Sequence, residues 1–60
     1  MKNYIILKVQ NNTAIFYNKN AIGKWTLAKS EATIFDDLFH AKRVRGRYGK
    51  EDETVFIIPA

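Results

Sequence analysis

The chain opens on a strand-like pattern at Tyr4 to Val9 and closes on an apolar run at Thr54 to Ile58, and helical spacing appears only after Asp36. In Tyr4 to Val9, the side chains of Ile5, Leu7 and Val9 share one side and those of Tyr4, Ile6 and Lys8 the other. Both sides start apolar, which predicts a strand placed centrally in a sheet. Gln10-Asn11-Asn12 supplies residues that tolerate left-handed backbone, and Thr13 to Tyr17 resumes a β-rich run, so the two segments are expected to form an antiparallel hairpin. Asn18 to Gly23 reads as a second turn region. Lys24 to Leu27 follows as a short third strand, with Trp25 and Leu27 on one side and Thr26 on the other. Ala28 to Glu31 is a polar corner in which Ser30-Glu31 can start a helical turn, and Thr33-Ile34-Phe35 is a brief fourth strand or an extended connector.

The helix is expected from Asp37 to Tyr48, with Asp36 or Asp37 accepting a hydrogen bond from an orphan N–H at the positive end of the dipole. Leu38, Ala41, Val44 and Tyr48 form its apolar stripe, flanked by Phe39, while Asp36, His40, Arg43 and Arg47 cluster on the opposite side. Gly46 weakens the last turn by roughly 1 kcal/mol relative to Ala, Gly49 suits the C′ position, and fraying is expected between them. Thr54 to Ile58 closes the pattern. Its successive apolar residues predict burial on both faces and hence a central strand, ended by Pro59. The expected architecture is α+β: a small, mainly antiparallel sheet with one helix packed across one face. Its expected core comprises Ile5, Leu7, Phe16, Trp25, Phe35, Leu38, Ala41, Val44 and Ile57, with either Phe39 or Tyr48 left exposed.

Composition sets the scale of that core. Sixty residues make one domain, 1–60, and a chain of this size buries only about 60% of the surface it exposes when unfolded. With no cysteine for disulfides and one histidine, stability must come from packing the four Phe, three Tyr and one Trp, or from oligomerisation. Ten Lys and Arg against six Asp and Glu give a formal charge of +4, which favours acidic partners: nucleic acid, an anionic protein face or a membrane surface. No apolar run approaches the ~18 residues of a membrane span. Lys2 is followed by strand-like alternation, which is not the pattern of a signal peptide. Asn11-Asn12-Thr13 matches a glycosylation sequon, which carries no weight without an export signal. The absence of cysteine fits the cytoplasm.

Chemistry is sparse. His40 has no ligand set around it, Ser30 lies outside any strand–turn–helix elbow, and Asp36-Asp37 diverge by about 100° on a helix. Glu51-Asp52-Glu53 reads as a solvated loop, and Gly46-Arg47-Tyr48-Gly49 lies at the wrong helix end to cradle phosphate. No enzyme, metal or cofactor is expected. What remains is Lys42, Arg43, Arg45, Arg47 and Lys50 with Tyr48 among them, a basic helix end with an aromatic platform. Arg45 projects toward the apolar stripe, where it can pair or snorkel, so the charges do not form one blade.

Gly23-Lys24-Trp25, then Ser30-Glu31-Ala32, Phe35 and Ala41, resemble a loose group of small bacteriophage-encoded α+β proteins. These open with a strand like Tyr4-Ile5-Ile6-Leu7-Lys8, follow with a hairpin, and close with one like Val55-Phe56-Ile57-Ile58-Pro59, so the likeness spans nearly the whole chain. The shared pattern is one of packing and carries no catalytic residue. The chain departs from it in the longer turn at Ala21-Ile22 and the more basic Arg45-Gly46-Arg47. The resemblance implies a phage accessory protein that binds and redirects host machinery in the host cytoplasm. The expected function is therefore a non-enzymatic interaction module that meets an acidic host protein through His40, Arg43 and Arg47, with Lys42 and Lys50 at the rim. Direct nucleic-acid binding through the same charges is the alternative. A homo-oligomer also remains open.

Overall fold

The computed structural model describes residues 2–49 and 54–60. Among them, strands β1 (Tyr4–Gln10), β2 (Thr13–Tyr17), β3 (Trp25–Thr26) and β4 (Val55–Pro59) form one antiparallel sheet in the order β3-β2-β1-β4, and helix α1 (Leu38–Gly49) lies across one face of it. The α+β architecture and the central first strand are as the pattern predicts.

Local chemistry explains how the hairpin forms. Asn11 and Asn12 adopt φ of 55° and 62°, the left-handed pair that a two-residue hairpin turn needs. That turn pairs Gln10 with Thr13 and carries the register on through Lys8–Ile15 and Leu7–Phe16. The next reversal uses Gly23 at φ 77° and Lys24 at φ 71°, within a short 3-10 turn (Ile22–Lys24). Gly23 takes this conformation without strain, whereas the Lys24 side chain is crowded by it. The Lys24 ammonium donates to the Lys19 carbonyl at 2.9 Å, and the Asn18 N–H donates to the Lys24 carbonyl at 2.9 Å, closing the loop.

β3 is shorter than the pattern predicts: it ends at Thr26, and Leu27 is 72% exposed instead of sharing a buried side with Trp25. A second 3-10 turn (Lys29–Glu31) occupies the polar corner. Of the two alternatives for Thr33-Ile34-Phe35, the extended connector is correct. The Thr33 N–H donates to the Tyr17 carbonyl at 2.8 Å, and Phe35 and Tyr4 exchange backbone bonds of 2.7 and 2.8 Å as an isolated antiparallel bridge. Phe35 thus takes the place beside β1 that β2 has vacated.

Helix α1 starts one residue later than expected. Asp37 is its N-cap, with Oδ1 accepting from the Phe39 N–H at 2.9 Å while the Asp37 carbonyl takes the Ala41 N–H at 3.1 Å. Asp37→Ala is expected to lower stability by about 1 kcal/mol in urea titration, and Asp36→Ala by much less, because Asp37 is the residue that caps. The helix continues through Gly46 to Gly49.

The choice of face differs from the expected core. Ile6, Tyr17, Phe35, Ala41 and Val55 form the buried cluster, with Tyr4, Trp25, Val44, Tyr48 and Ile57 packed against it. Side chains of Ile5, Leu7 and Phe16 lie on the opposite face, because directly paired residues share a side and Leu7 faces Phe16. Ile5 is nonetheless fully buried there, Leu7 and Phe16 are half-buried, and Leu38 is 37% exposed at the edge of the helix contact. The helix therefore covers the Tyr4–Ile6 side. The aromatics select it: Tyr17 has Trp25 at 6.1 Å, Phe35 at 6.0 Å and Tyr48 at 5.4 Å, a cluster that only this side can assemble. Burial, followed by the neighbouring Tyr48, raises the Tyr17 phenol above its ordinary pKa, and Arg47 offsets part of that rise.

The last strand is not central. β4 pairs with β1 alone and forms one edge of the sheet. Its apolar run reflects burial of Val55 and half-burial of Ile57 under α1, while Phe56 on the other face is 46% exposed.

Candidate interaction surface

The outward face of α1 follows from its winding. At about 100° per residue, Phe39 and Arg43 lie about 160° from the fully buried Ala41, and Gly46 about 140° from it. Phe39 is 79% exposed, and Lys42, Arg43 and Arg47 are exposed around it. None of these three cations is held by a hydrogen bond or ion pair among the described residues.

The predicted site residues separate on this cylinder. Arg43 stands on the crest, with Arg47 and His40 toward one flank and Lys42 toward the other, the flank next to β4. The His40 side chain is exposed on one side only: its ring packs T-shaped with Phe35 at 5.1 Å and 87°, which ties the imidazole to the core margin. Lys50 and the acidic stretch Glu51 to Glu53 lie outside the described residues.

One assignment changes. Tyr48 is not a platform among the charges, because its ring packs 5.4 Å from Tyr17 inside the fold. Of the two aromatics that the pattern left as alternatives, Phe39 is the exposed one. Its angular distance from Ala41 was available in the spacing, once Ala41 is known to be the innermost position. Arg45 does snorkel: its Nε donates to the Val55 carbonyl at 3.0 Å, joining α1 to the edge of β4.

Gly46 lies between Phe39 and the basic last turn, and a Cβ placed there meets nothing within 4 Å. The monomer has no steric need for this glycine. Gly46→Ala is accordingly expected to stabilise the chain by about 1 kcal/mol, read as a higher urea midpoint at unchanged m-value.

Beside the helix, Lys42, Arg45, Val55, Phe56 and Ile57 line an open groove of ≈ 380 Å³. Among the described residues, its lining contains no carboxylate, imidazole, hydroxyl or thiol. Among the described residues, no group of three or more His, Cys, Asp or Glu side chains converges, and no helix is long and apolar enough to cross a membrane. Comparison of the chain with protein-family models, with curated proteins and with solved structures returns no match.

Proposed function

We propose that the chain is a non-enzymatic interaction module whose helix crest docks on an acidic protein surface. The observation that carries this is Phe39: a large aromatic, 79% exposed, at the centre of a face edged by Lys42, Arg43 and Arg47. A side chain of this size left in water contributes little to folding, but in a desolvated pocket with cations around it, it is a typical binding anchor. His40 and Lys42 occupy the two flanks of that contact, and Lys50 follows in the chain. With the likeness at Gly23-Lys24-Trp25, Ala32, Phe35 and Ala41, this supports a phage accessory protein that modulates a host protein in the host cytoplasm.

The test is capture of partners from nuclease-treated bacterial lysate on the tagged chain, alongside Phe39→Ala and the double variant Arg43→Glu with Arg47→Glu. Phe39→Ala should leave folding stability within about 0.5 kcal/mol of the parent and weaken capture about tenfold or more. The charge-reversed chain should lose the partner. Recovery that is unchanged in both variants rejects this surface. Binding of a DNA or RNA duplex at ~50 mM salt, falling roughly 10²-fold by ~200 mM, would instead identify nucleic acid as the ligand of these charges.

A further inference from the structure

The edge of β4 points to a second interaction surface. The Val9 N–H donates to the Thr54 carbonyl and the Ala60 N–H to the Asn3 carbonyl, each at 2.9 Å. With the Leu7–Phe56 and Ile5–Ile58 register, these bonds place alternate residues of β4 toward β1. The peptide groups of Val55, Ile57 and Pro59 therefore face away from the sheet. Arg45 occupies the Val55 carbonyl, and Pro59 has no N–H to offer. Among the described residues, what remains open is the N–H and C=O of Ile57, with the Val55 N–H on one side and the Pro59 carbonyl on the other. This is the bonding pattern of an unpaired strand, shortened at both ends as natural edges are.

The groove beside this edge decides what can lie on it. Val55 and Ile57 form its floor, and Lys42 and Arg45 stand over it from α1. Only the Nε of Arg45 is engaged among the described residues, so its outer guanidinium N–H groups have no partner there. On the other side of the sheet, Phe56 is 46% exposed. An added strand alternates its side chains, so one set faces the two cations and the next set faces Phe56.

We infer that the free edge of β4 accepts an extended segment of another protein as a fifth strand. That segment carries Asp or Glu at alternate positions and apolar β-branched residues between them. A second copy of this chain is disfavoured, because pairing β4 with its equivalent brings two Lys42 and two Arg45 side chains together. The surface is separate from the Phe39–Arg43 crest, touches it only at Lys42, and does not rest on that assignment.

A 60-residue chain is accessible to total synthesis, which permits a direct test. The full chain and a version with N-methyl-Ile57 are titrated against a fluorescein-labelled peptide of ~8 residues alternating Glu with Val. Its Lys/Val counterpart serves as the control. N-methylation removes the outward N–H and keeps the side chain, so binding of the Glu/Val peptide should weaken about tenfold. Lys42→Glu, an exposed change that leaves the backbone intact, should weaken it several-fold, and the Lys/Val peptide should not bind. Phe39→Ala with Arg43→Glu should leave this binding unaltered while it abolishes capture at the helix crest. The inference is overturned if the Glu/Val peptide fails to bind at ~1 mM, or if it binds equally to the N-methyl and Lys42→Glu chains. Sedimentation showing that the free chain pairs with itself through this edge overturns it as well.

Discussion

Phe35→Ala is expected to remove half or more of the folding stability of this chain. Phe35 is 3% exposed, stacks on Tyr17 at 6.0 Å and packs T-shaped with His40 at 5.1 Å. Its backbone is bonded to Tyr4 in both directions, so the connector cannot slide to fill the space left by the ring. Truncating a buried Phe where the surroundings cannot collapse costs about 3–5 kcal/mol. At about 0.05–0.15 kcal/mol per residue, a chain of this size holds only about 3–9 kcal/mol in total. Far-UV circular dichroism with urea titration measures the loss. A decrease below about 1 kcal/mol would mean that Phe35 is not the joint between sheet and helix.

Ile6→Ala carries the next largest effect, and its contrast with Leu7→Ala tests which side of the sheet the helix covers. Ile6 is 1% exposed inside the cluster with Tyr17, Ala41 and Val55, whereas Leu7 is half-buried on the face away from α1. Removing the Ile6 side chain is expected to cost about 2–5 kcal/mol, with Leu7→Ala well below it. Near-UV circular dichroism separates the two further, since only Ile6 abuts the Tyr17 aromatic cluster. Equal losses, or a larger loss at Leu7, would move the helix to the other face. Ile5→Ala is a poor discriminator because Ile5 is buried too, although on the far side.

These two variants also bear on the interaction surface. Phe39 and Arg43 stand on the crest because Ala41, with no exposed area, is drawn against the sheet directly beneath them. Loss of Phe35 or Ile6 removes the support for that contact and should abolish binding along with folding. Phe39→Ala, by comparison, separates binding from folding. A side chain whose removal affects only binding is the signature expected of a docking anchor.

Much of the fold is legible in short stretches of sequence because its causes are local. Asn11-Asn12 sets a two-residue turn, and that turn alone places Leu7 opposite Phe16 and keeps β1 beside β2. Asp37 ends the connector and starts α1 by capping the Phe39 N–H. The exposed cations Arg43 and Arg47 follow from helical spacing, as does the inward lean of Arg45.

Three features needed the tertiary structure. The pattern of β1 is apolar on both sides, so it cannot say which side receives the helix; the Tyr17–Trp25–Phe35–Tyr48 packing decides that, and those residues come from four separate segments. The apolar run of β4 resembles a central strand, yet the strand lies at the edge because the helix, not a further strand, shelters Val55 and Ile57. Which of Phe39 and Tyr48 stays exposed is decided in the same way, because Tyr48 packs on Tyr17 and Phe39 is left in water. Sequence by itself determined the turn, the cap and the α+β class through interactions a few residues long. Which faces meet, which strand edge stays open and which aromatic remains in water were decided only when distant segments competed for one small core.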